Sequence, residues 1–73
     1  MVRRFSIETE VEDDGRWIAE VIELPGVMAY GATREDAILR VQALALRVIA
    51  ERIDHGEHPA SAAEQLDLSF VPA

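Results

Sequence analysis

The sequence predicts an α+β fold of order β-β-β-α-β, an antiparallel sheet with one long helix packed on one face. Three observations predict it. Apolar and polar residues alternate from Phe5 to Val11, a long stretch of helical periodicity begins after Thr33, and alternation returns from Leu66 to Val71.

The first strand carries Phe5, Ile7, Thr9 and Val11 on one side and Ser6, Glu8, Glu10 and Glu12 on the other. Asp13-Asp14-Gly15 marks a hairpin, since Gly tolerates the backbone of a tight turn. The partner strand starts near Arg16 and runs through Trp17 to Ile22, apolar on both faces as a central strand would be. Leu24-Pro25-Gly26 ends the ladder. Val27 to Tyr30 forms a short third strand.

Thr33 is a favourable helix N-cap, with Asp36 three residues on in an approximate capping box. The helix is expected over Arg34 to Asp54, with Gly56 as its stop and Pro59 preventing resumption. Asp36–Arg40 and Arg47–Glu51 are spaced to pair along its polar side. Residues 57–64 form a connection, and Leu66 to Val71 the last strand.

A chain of 73 residues supports one domain, covering residues 1–73, with a modest core. Cores of that size commonly draw on disulfides, a metal or oligomerisation. The sequence has no cysteine, which excludes disulfides and thiolate metal sites and leaves oligomerisation, a dimer first. Apolar residues make up 49% and charged residues 29%, proportions of a globular protein. No apolar run approaches the roughly 20 residues that cross a bilayer, and no signal peptide is evident, so the cytoplasm is expected. The net charge is −7, with every basic residue an Arg. Such a surface repels phosphate backbones and suits a basic protein partner, so nucleic-acid binding is not expected.

The helix has two apolar stripes. Ile38, Val41, Leu44, Ala45, Val48 and Ile49 share a broad face suited to the sheet. Leu39, Leu46 and Ile53 fall seven apart on nearly the opposite side, flanked by Ala43 and Ala50. This second stripe is read as a subunit or partner interface, as a surface partly covered by the last strand and its connection, or as ordinary scattered exposed residues. Trp17, Ile18, Ile22 and Tyr30 cannot all face the helix, so some lie on the open face of the sheet. For Trp17 an interface anchor and plain core filling are both open. The candidate interface residues are therefore Glu8, Glu10, Glu12, Trp17, Tyr30, Leu39, Leu46 and Ile53.

Catalytic chemistry finds little support. Glu8, Glu10 and Glu12 on one side of the first strand, with Glu20 nearby, could hold a divalent cation, but ligands evenly spaced along a strand do not converge. His55 and His58 lack the further ligands that zinc requires. Ser6, Ser61 and Ser69 sit in no triad-like setting, and Gly26 and Gly31 in no phosphate-binding loop. No enzyme activity and no cofactor are expected.

The run Asp14-Gly15-Arg16-Trp17-Ile18-Ala19-Glu20-Val21-Ile22-Glu23-Leu24-Pro25-Gly26 resembles the "DG-aromatic-hydrophobic-A…PELPG" segment of HicB-like antitoxins. Tyr30-Gly31-Ala32-Thr33-Arg34-Glu35-Asp36-Ala37 is similar to the "QG-x-T-x-E-E-A" start of their helix, and Gly56-Glu57-His58-Pro59 to the "DGExxP" turn after it. Val27 stands where many members have Cys. The resemblance implies a partial ribonuclease-H-like fold without an active site. It also implies a protein that binds and masks a small basic RNA-cleaving toxin of the HicA type. Gly15, Pro25, Gly26, Gly31 and Thr33 carry over as structural positions. Many full antitoxins add a C-terminal DNA-binding module; with the sequence ending at Ala73, none is expected here. The alternative is a stand-alone oligomeric module without a toxin.

Overall fold

The computed structural model describes residues 2–56 and 67–73. Its elements are β1 (Val2–Val11), β2 (Trp17–Val21), β3 (Met28–Gly31), α1 (Arg34–Asp54) and β4 (Asp67–Pro72), in that order. The readings that fall on residues 57–66, including the turn through Pro59, His58 and Ser61, lie outside the described residues.

The four strands form one sheet in the order β3-β2-β1-β4. β1–β2 and β2–β3 are antiparallel, but β1–β4 is parallel, with Phe5 opposite Phe70. The sheet is therefore mixed, which corrects the expectation of an antiparallel one. The reason is directional. α1 carries the chain back along the sheet after β3, so the next strand runs the same way as β3, and β3 runs the same way as β1.

The β1–β2 hairpin closes through Glu12 and Arg16. The Glu12 N–H donates to the Arg16 carbonyl at 2.7 Å, and the Gly15 N–H to the Glu12 carbonyl at 2.9 Å. Asp14 fastens the turn from outside, accepting from the Arg16 backbone N–H at 3.0 Å and from its Nε at 2.7 Å. β2 stops at Val21, one residue before the expected Ile22. Beyond it, Leu24 and Val27 bond back through backbone turns and bury their side chains.

α1 occupies the expected span. The Asp36 N–H donates to Thr33 Oγ1 at 3.1 Å, which makes Thr33 the N-cap. Asp36 answers by accepting from the Ala32 N–H at 3.3 Å and from Arg40 Nε at 3.1 Å, a displaced form of the capping box. At the other end His55 is the C-cap, and Gly56 turns the chain with φ 72°.

The core lies between α1 and one face of the sheet. Phe5, Ile7, Ala19, Val21, Leu24 and Val27 meet Ala37, Val41, Ala45 and Ile49 there. Ile38, Leu44 and Val48 pack on its margin as the helical pattern predicts. Ala37 was not among the predicted sheet-facing residues, yet it is fully buried. Its small side chain lets the first turn press against β3 at Gly31. A Cβ on Gly31 would sit about 2.9 Å from backbone carbons of Asp36 and Ala37, far inside contact distance. Arg34 Nε donates to Thr9 Oγ1 at 3.2 Å and ties the same turn to β1. Phe5 and Phe70 stack with ring centroids 5.7 Å apart, joining β4 to the core.

Candidate interaction surfaces

The register fixes which side chains face away from the helix. Ile7 pairs with Val21 and Thr9 with Ala19, so these four share the helix face. Their neighbours Glu8, Glu10, Ile18 and Glu20 lie on the open face. Glu20 pairs with Met28 and Ile18 with Tyr30, which carries the same face across to β3. Glu8 stands directly opposite Glu20, and Glu10 directly opposite Ile18.

This arrangement gives the open face two textures. Ile18 is half-buried, while Ile22, Met28 and Tyr30 are exposed. Beside them Glu8, Glu10, Glu12 and Glu20 border a shallow depression of about 130 Å³ that has Ile18 and Met28 in its wall. The ion pairs among the described residues are Asp14–Arg16 and Asp36–Arg40, so none of these four glutamates is in one. At the hairpin end Arg16 lies over the Tyr30 ring, 4.5 Å from its centroid, while Asp14 holds the guanidinium.

Trp17 pairs with Val11 and Gly31, on the helix side of the sheet. It is half-buried and packs against the core, apart from the open-face residues. Glu8, Glu10 and Glu12 border one depression, and Tyr30 lies on the same face beyond Ile18. Sequence reading left Met28 out, although it stands two residues before Tyr30 and so shares its face. It also left out Arg16, whose aromatic partner lies on another strand.

The second surface is the outer side of α1. Leu39 is 65% exposed, Leu46 46% and Ile53 41%, and Ala43 and Ala50 between them are exposed as well. The spacing alternates four and three residues, the interval of a helix that packs along another helix.

Two carboxylates are held below the ordinary range. Asp14 is lowered by the Arg16 backbone N–H foremost and by the guanidinium besides. Glu23 is lowered chiefly by the Ser6 N–H, which donates to its Oε1 at 2.7 Å. Asp14 lies in the β1–β2 turn and Glu23 in the turn after β2. Among the described residues no buried side-chain polar atom lacks a partner, and no three His, Cys, Asp or Glu converge on a cation position. No described helix is long and apolar enough to cross a membrane.

No family model, no curated protein and no solved structure matches this chain.

Proposed function

We propose that the chain is a HicB-like, antitoxin-type binding domain, cytoplasmic and without catalysis of its own, that neutralises a small basic RNA-cleaving toxin of the HicA type. The observation that carries this reading is the sheet face left open by α1, where half-buried Ile18 and exposed Met28 adjoin Glu8, Glu10, Glu12 and Glu20, all outside the described ion pairs. Apolar area with a charged border is the make-up of a protein-binding surface. An acidic inhibitor also attracts a basic toxin at long range. The likeness of the Asp14–Gly26 and Tyr30–Ala37 segments to HicB-like antitoxins supports the same reading. Net charge opposes direct nucleic-acid binding by this domain.

The test is co-expression with the reading frames that flank the gene. A small basic protein should co-purify in stoichiometric amount, and its RNA cleavage should be suppressed in the complex. A chain that purifies alone, beside flanking frames that are harmless when expressed, overturns the toxin partner.

One observation favours a second reading, a stand-alone oligomer. The Leu39–Leu46–Ile53 stripe suits an isologous helix–helix contact between two copies. Both readings accommodate a homodimer, and the absence of any toxin gene would leave the second.

A further inference from the structure

The open sheet face and the outer helix stripe differ in charge, and the difference separates their partners. The helix stripe is neutral in its apolar line, with Leu39, Leu46 and Ile53 interleaved by alanines. The sheet face sets Glu8 directly across from Glu20, with Glu10 next along β1. Like charges directly opposite on neighbouring strands repel and cost stability. Neither described ion pair relieves that repulsion. Half-buried Ile18 and exposed Met28 stand immediately beside the pair, in the same depression.

We infer that this open face is the docking surface for a basic protein partner, which sets an Arg or Lys between Glu8 and Glu20 and an apolar side chain against Ile18 and Met28. The inference rests on the protein-binding reading above and assigns it a place. Charge complementarity selects the occupant. A second copy of this acidic chain would bring carboxylates against carboxylates there, whereas a cationic segment removes an existing repulsion and covers apolar surface in one step. The face thus has the mark of a binding site held at some expense to the free fold, and a stability–binding trade-off follows.

The test uses a synthetic helical peptide carrying Arg and Leu along one side, with a counterpart bearing Glu for Arg. Binding to the full chain is read by calorimetry at moderate salt. The basic peptide should bind, the acidic one should not, and Glu8→Gln/Glu20→Gln should weaken binding by about tenfold. Glu51→Gln/Asp54→Asn removes the same formal charge from the helix and should change affinity less than about twofold. Glu20→Gln alone should raise the Tm of the free chain by about 1–5 °C, because it ends the cross-strand repulsion. Equal losses in the two double variants mean unspecific attraction to an acidic protein and overturn the inference. Binding lost in Leu46→Asp but kept in Glu8→Gln/Glu20→Gln also overturns the placement, while leaving the protein-binding reading intact. A basic peptide that binds neither surface, together with co-expression that yields no companion, sinks both. A Tm raised by magnesium ions as much as by the peptide would make the site a cation site and likewise overturn it.

Discussion

Gly31 is the residue on which the helix–sheet approach turns. Its missing side chain lets the first turn of α1 sit on β3, and any Cβ there would strike the Asp36–Ala37 backbone. Gly31→Ala should therefore cost about 1–3 kcal/mol, seen as a lower urea midpoint with unchanged slope. An unaltered midpoint would mean that the helix shifts freely, against the close contact. Glu23 acts through pH instead. Its carboxyl is depressed in the folded state by the Ser6 N–H, so its stabilisation is present above the ordinary carboxylate range. That stabilisation disappears as pH falls through the depressed value. Glu23→Gln should lower the Tm at neutral pH, and its curve should meet the wild-type curve in acid. Parallel curves across the acid range would remove the assigned role. Part of this residue-scale detail was legible beforehand. Thr33 announced itself as a cap by type and position, whereas Glu23 reaches Ser6 across seventeen residues of sequence, a tertiary contact with no local signal.

Among the elements, α1 separates two kinds of apolar residue. Val41 is fully buried against the sheet and Leu46 is 46% exposed. Val41→Asp places an unpaired charge in the core and should cost ~4 kcal/mol or more, enough to unfold a domain of this size. Leu46→Asp should keep the circular-dichroism spectrum while abolishing any self-association through the stripe. Equal unfolding by both would mean that the outer stripe is part of the core. The helix was readable in span and face because a cap, a stop and a regular period agreed. The burial of Ala37 was not legible, because alanine is as common outside a core as in one. The side on which Trp17 falls was unreadable for a different reason. β2 is apolar on both faces, so its orientation is set only by register, with Ile7 against Val21.

At the scale of the molecule, the covered sheet face and the two uncovered surfaces describe a domain whose core is formed from one side of each element. Ten residues make up the buried apolar set among those described, a small core that leaves stability open to improvement by association. If two copies join through α1, the Tm should rise with protein concentration, and Leu39→Lys should abolish that dependence. A Tm independent of concentration across the range where sedimentation still finds one copy would exclude self-association as a source of stability. The overall order of elements was legible from alternation and periodicity. The direction of β4 was not, because alternation marks a strand without saying which way it runs. Tracing the return path of the helix supplies that answer.

The parallel pairing of β1 with β4 has a consequence for synthesis. Val2 to Ile7 align with Asp67 to Pro72, so the outer edge of β1 waits for a segment made after α1. While the ribosome is still adding α1, the hairpin of β1 and β2 can already zip, yet one flank of the nascent sheet stays bare. An unpaired flank of that kind recruits foreign strands. Arg3 and Arg4 lie along it, both exposed, and such charges discourage stray pairing until the proper neighbour arrives.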